Sequence, residues 1–219
     1  LFAVHSKNSL GIGDFSDLKL VADWSKETGN SIIQLLPLNE VGQLFCPYDS
    51  VSSFAIEPAY LPISSGDAKD LRKSYPTDSL FVNYQIKKEK LRLFKAEFNS
   101  LGSRNAQEIS AFLSDNSYWL PGFALYKALK EYHDGKAWYD WEDRFKLRDK
   151  QALQDFSVEF DARIKFEIWL QWKLNLELKE AKEYAHKSGI LLKGDLPIFV
   201  SRDSADVWQH QEYFKLGFA

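Results

Sequence analysis

The chain has 219 residues, 45% hydrophobic and 15% aromatic, enough for one large domain, or a domain carrying an excursion, with a sizeable core. Its 28 basic and 31 acidic residues leave a net charge of −3 with no long block of either sign, which argues against nucleic acid as a partner. The longest apolar stretches, such as Ser31–Leu38, fall well short of the roughly 20 residues a bilayer demands, and the lone Cys46 forms no internal disulfide, so a cytoplasmic protein without a membrane segment is expected.

Leu1 opens a chain that contains no methionine, so the sequence is expected to be cut from a longer one. From Asp14 to Thr28, Phe15, Leu18, Val21, Ala22 and Trp24 recur at helical spacing, with Asp14 as N-cap and Gly29 as the stop. Ser31–Leu38 is short, apolar almost throughout and closed by Pro37, which predicts a parallel strand buried on both faces. A polar and aromatic loop follows to about Ser53, and Phe54–Ile63 predicts a short or edge strand because Pro58 and Pro62 break any longer one. Three amphipathic patches, near Tyr84–Asn99, Ala106–Leu113 and Pro121–Tyr132, predict a mostly helical excursion packed through Trp119, Phe123, Tyr126, Trp138 and Trp141. Asp161–Lys187 predicts one long helix with Ile164, Ile168, Trp172, Leu176 and Lys179 at four- and three-residue steps, and Ile190–Val200 a second short apolar strand.

This order is α/β: buried parallel strands joined by helices form either a doubly wound sheet or a (β/α) barrel, and a large insert after an early strand favours the barrel. The expected fold is the N-terminal part of a (β/α)8 TIM barrel with a mostly helical inserted subdomain. Its expected divisions are 1–63 for the first strands and helix of the barrel with the site loop, 64–160 for the mostly helical insert, and 161–219 for the return helix and third barrel strand, the barrel being incomplete.

Asp195 stands near the end of the second apolar strand, where barrel enzymes place functional groups. By position alone it serves equally as a site carboxylate, a helix cap or a partner of Lys193 or Arg202. The loop Leu44–Ser53 presents the ring of Tyr48, the thiol of Cys46 and several hydroxyls. Such a set suits a sugar, whose C–H face takes an aromatic ring and whose rim takes hydroxyls and carboxylates, although Tyr48 also reads as an ordinary half-buried loop tyrosine. Gly11–Gly13 is not a dinucleotide loop, since no strand precedes it and Ser16 stands where a third glycine belongs. His5, His133, His186 and His210 are scattered without metal-ligand spacing, and nothing sets Cys46 against a histidine.

Taken together, Leu10–Phe15, Gln34–Leu38, Cys46–Ala55, Gly194–Val200 and Asp203–Trp208 resemble the 4-α-glucanotransferases, the amylomaltase or disproportionating enzymes. Tyr118–Lys130, Trp138, Trp141 and Arg148–Asp149 are similar to that family's insert, so the likeness runs nearly end to end. The resemblance implies a retaining barrel enzyme that cuts an α-1,4 bond in maltose, maltodextrin or a longer glucan and passes the glycosyl unit to another sugar's 4-hydroxyl, with no cofactor. It implies that Asp195 holds the donor-side sugar and that Tyr48 packs on the same sugar. With Cys46, where many members carry serine, and Pro197, these form the expected substrate-binding set. The resemblance places neither catalytic carboxylate in this chain: the nucleophilic aspartate and the acid/base glutamate are expected after Ala219, in the remainder of the barrel as a continuation or companion chain. Asp203 and Asp206 match a segment that shapes the glucan groove. The stretch from Asn39 resembles larger members with added starch-binding modules. A glucan-binding module and an α-amylase-type hydrolase stand as the alternatives, because one barrel serves several reactions.

Overall fold

The computed structural model describes residues 1–42, 45–75 and 81–218. In chain order its elements are α1 (Phe15–Glu27), β1 (Ile32–Gln34), β2 (Asp49–Ser50), α2 (Ser65–Leu71), α3 (Gln85–Ser100), α4 (Ala106–Asp115), α5 (Leu120–Tyr132), α6 (Asp143–Lys146), α7 (Lys150–Glu159), α8 (Asp161–Lys187), β3 (Leu191–Lys193), β4 (Phe199–Val200) and α9 (Ala205–Gln209). Among the described residues no helix is long and apolar enough to cross a membrane.

The first helix begins and ends where the sequence indicates. Asp14 Oδ1 accepts from the Ser16 amide at 2.9 Å, and Asp17 Oδ2 accepts from the Asp14 amide at 2.9 Å, a reciprocal cap for amides that the helix leaves without partners. Gly29 closes it at φ 77°, a conformation that costs glycine nothing. Ahead of the cap, the Gly13 amide donates to Phe2 O at 3.1 Å. A Cβ at Gly13 would sit 2.9 Å from Val4 Cβ and run into Leu1 O, so the N-terminal segment packs directly on glycine backbone.

β1 and β3 pair in parallel, with Ile32 opposite Leu191, Ile33 opposite Leu192 and Gln34 opposite Lys193. Ile33 and Leu192 pack on Ala22 of α1, Ala185 of α8 and Ile190. The other face is open, with Ile32 56% and Leu191 57% exposed. This corrects the expectation of burial on both faces: helices cover one side of a two-stranded ribbon, and the pleat turns alternate side chains to the other.

Two further expectations change. Phe54–Ile63 is not a strand but a single bridge at Ile56 and a 3₁₀ turn, Pro58–Tyr60, whose first amides are served by the Glu57 side chain, with Ala59 N donating to Oε1 at 3.1 Å. Proline pre-sets the φ of that turn and offers no ladder donor. Ile190–Val200 divides into β3 and β4, which pair with different partners: β4 runs parallel to β2, Asp49 opposite Phe199 and Ser50 opposite Val200.

The chain forms two compact units, one of Leu1–Leu38, Ile56–Gly102 and Lys173–Leu196, the other of Asn39–Ala55, Ser103–Trp172 and Pro197–Ala219. In the first, Lys90 of α3 is fully buried and its Nζ donates to Ala59 O at 2.8 Å, Leu61 O at 3.0 Å and Asp14 Oδ2 at 3.3 Å. Burial draws its pKa below the ordinary lysine value, and the Asp14 carboxylate opposes that shift. In the second unit, Trp119, Phe123, Tyr126, Trp138 and Trp141 lie in one buried core with Phe145, Phe156 and Trp208. Each large side chain so buried contributes roughly 1.5–3 kcal/mol of transfer free energy, which makes this core the main hold on the helices around it.

α8 buries Phe166, Trp169, Leu170, Leu174, Ala181 and Ala185. The row read from sequence is not one buried stripe: Ile168 is buried at 7% exposure in the aromatic core, while Leu176 is 45% exposed.

Candidate functional site

Asp195 follows β3 by two residues, at the C-terminal end of the β1/β3 pair, where Leu35 N still reaches across to Lys193 O at 2.9 Å. Gly194 between them has nothing near its missing side chain, so the strand opens at once into solvent. The Asp195 carboxylate is exposed, and its Oδ1 accepts from the Leu196 amide at 2.9 Å. That local bond turns the backbone just beyond the strand and leaves the carboxylate at the surface.

Cys46, Tyr48 and Pro197 lie in the second unit, Asp195 in the first. Cys46 is a free, half-buried thiol whose carbonyl accepts from Asp49 N at 3.0 Å, which folds Pro47 and Tyr48 into a tight turn. Tyr48 at this turn is half-buried. The turn runs into β2, and pairing with β4 brings it alongside the strand that Pro197 enters.

The segment beyond β2 is fastened residue by residue. Ser50 forms an antiparallel bridge to Val41 and its carbonyl accepts from Ser201 N at 2.8 Å. Val51 N donates to Glu40 O at 2.9 Å and Val51 O accepts from Ala205 N at 2.9 Å. Ser52 Oγ accepts from Phe54 N at 3.1 Å and Ala55 N at 3.2 Å, and Ser53 N donates to Asp206 Oδ2 at 3.0 Å. Ser52 thus shapes its own backbone through its side chain, whereas Ser50 is fastened through its backbone; they are buried at 2% and 0% exposure.

Sequence reasoning did not give Asp203 and Asp206 these tasks. Asp203 accepts from the Tyr126 hydroxyl at 2.9 Å, from the Trp138 amide at 3.1 Å and from the Lys130 ammonium. Burial, then the charge of Asp203, push the Tyr126 hydroxyl far above its usual range, so it stays a donor. Burial likewise raises the Asp206 carboxyl, against the lowering effect of its bond from Ser53. Glu40, 1% exposed, is held by Lys127 at 2.6 Å beneath the same segment. Among the described residues no three His, Cys, Asp or Glu side chains gather as a metal-binding group.

A protein-family model described as 4-alpha-glucanotransferase matches residues 1–219. The chain belongs to that family. A 4-alpha-glucanotransferase of Chlamydia pneumoniae is 36% identical over 98% of this chain and 43% of its own length, and one of Aquifex aeolicus is 36% identical over 94% and 43%. The 4-alpha-glucanotransferase DPE2 of Oryza sativa is 33% identical over 100% of this chain but only 25% of its own length. The chain therefore spans less than half the length of these glucanotransferase relatives. Among solved structures, an amylomaltase from Streptococcus agalactiae in complex with acarbose superposes with a TM-score of 0.84 at 28% identity, over 98% of this chain and 46% of that one. The helix-rich α/β architecture is thus part of an amylomaltase fold.

Proposed function

We propose that this chain is the donor-site wall of a 4-α-glucanotransferase that moves α-1,4-glucan segments between maltodextrins or longer glucans. The observation that carries the reading is the match to one family along the whole chain, with an exposed aspartate just past the C-terminal end of a parallel strand. In this reading the β1/β3 pair belongs to a (β/α)8 barrel, and residues 64–160 form a helical excursion from it. The barrel continues in residues outside this chain, where the nucleophile and the acid/base carboxyl lie.

Retaining transfer needs two carboxyls about 5–5.5 Å apart, the first attacking the anomeric carbon and the second protonating the leaving oxygen, then activating the acceptor hydroxyl. Asp195 would hold hydroxyls of the sugar beside the scissile bond, and Tyr48, Cys46 and Pro197 would line its apolar face. No cofactor enters such a mechanism.

The test is product analysis with maltotriose on the complete polypeptide that carries these residues. Transfer yields oligosaccharides longer than the substrate. Glucose and maltose alone would assign an α-amylase-type hydrolase, and binding without turnover a glucan-binding module. Asp195→Ala should lower transfer by about 10²–10⁴, the scale of lost transition-state positioning, and Tyr48→Ala by less. Near-normal turnover by a folded Asp195→Ala protein would make that carboxylate a structural group and end this assignment.

A further inference from the structure

We infer that Asp206 is a positioning residue for the Cys46–Ser53 loop, the carboxylate that holds Tyr48's loop in register. The inference rests on the proposal that this loop touches the sugar.

Three bonds hold the loop from one side: Ser201 N to Ser50 O at 2.8 Å, Ala205 N to Val51 O at 2.9 Å, and Ser53 N to Asp206 Oδ2 at 3.0 Å. The first is ordinary strand pairing. The second uses an amide from the first turn of α9, which has no partner inside its helix. The third is the one made by a side chain, and a carboxylate accepting from an amide is among the stronger protein hydrogen bonds. α9 is itself capped and buried. Ser204 Oγ caps it through Val207 N at 3.2 Å, Trp208 is 0% exposed, and the indole of Trp208 donates to Phe145 O at 2.9 Å. One residue before that cap, Asp203 is held by Tyr126, Lys130 and Trp138. Asp206 therefore ties the loop to a helix seated in the aromatic core of its unit. Tyr48 lies five residues upstream of Ser53 across the short β2, so a shift at Ser53 is carried to its ring.

The experiment compares maltotriose kinetics and melting temperature of the complete polypeptide with Asp206→Ala, Asp206→Asn, Ala205→Pro and Tyr48→Ala. Asp206→Ala should raise KM by roughly 10-fold or more, since misplacement by about 1 Å costs up to 10²-fold, with kcat and melting temperature near wild type. Asp206→Asn keeps an oxygen acceptor and should recover most of the loss. Ala205→Pro removes the amide that reaches Val51 O and sets a ring carbon against that oxygen, while the helix itself tolerates the change: the first helical position accepts proline, and Ser204, at φ −130° and ψ 159°, is already in the backbone region that precedes one. It should raise KM in the same direction. If Tyr48→Ala raises KM while Asp206→Ala and Ala205→Pro do not, the inference is overturned and the loop's role stands. If Tyr48→Ala leaves KM unchanged, the sugar-binding reading of the loop falls first and takes the inference with it. A loss in Asp206→Ala matched by a fall in melting temperature, with no recovery in Asp206→Asn, would make the residue a stability element only.

Discussion

At the residue scale, Asp17 shows how one carboxylate serves a helix at a cost. Its Oδ2 accepts from the Asp14 amide to complete the cap of α1, yet its burial raises the carboxyl pKa, the charge of Asp14 adding to that and the bonds from Ser6 and Asp14 working against it. Between the unfolded value near 3.9 and the raised folded value the native state binds more protons, so folding loses stability as pH rises through that window and the penalty is complete above it. Asp17→Asn keeps the cap oxygen without the charge. Its thermal midpoint should exceed wild type at pH 7, and the gap should close as both are acidified through the raised pKa. A gap that widens on acidification would contradict this. The residue scale is also where sequence was least informative: Asp195 advertised itself by following an apolar run, but the task of Asp206 depends on Ser53, 153 positions away, and no local pattern records that.

At the scale of elements, α1, α5 and α8 were legible because each carries enough turns for an apolar stripe to repeat and a visible cap or glycine stop. β2 was not, since two residues, Asp49 and Ser50, contain no period at all and become a strand only through β4. The helix α3 shows what a single internal charge does for an element. Lys90 joins it to the carbonyls of Ala59 and Leu61 and to the N-cap of α1, three acceptors that no apolar side chain can satisfy. Lys90→Met should cost about 3–5 kcal/mol in urea unfolding, the usual loss when one partner of a buried ion pair is removed. A methionine variant as stable as wild type would show that water replaces the ammonium at those carbonyls.

For the whole molecule, the open face of the β1/β3 ribbon carries the sharpest expectation. Ile32 and Leu191 are more than half exposed here and Leu36 is 49% exposed, whereas the proposed barrel would bury them inside. The double substitution Ile32→Thr and Leu191→Thr should therefore leave the 219-residue chain within about 0.5 kcal/mol of wild type, as surface changes do. In the complete polypeptide the same pair should cost about 1–3 kcal/mol per site. Equal effects in both settings would mean the face stays wet and the barrel is closed elsewhere. The α/β order was legible where strand burial was not: an apolar run in the sequence marks a strand, and does not record which segment, if any, covers each of its faces.

The division into two units bears on the order in which this molecule comes into being. The chain passes between the units five times, so neither is a continuous stretch. The first cannot close until β3 supplies Leu192 against Ala22 and Ala185, and Tyr126 and Lys130 wait more than 70 residues for the Asp203 carboxylate they share. During synthesis at about 5–20 residues per second, the aromatic core would stand half-assembled for several seconds before Trp208 emerges to fill it. The helices made first must therefore remain soluble while their last partners are still being translated. That interval sets how long unfinished aromatic surface stays exposed before the core closes.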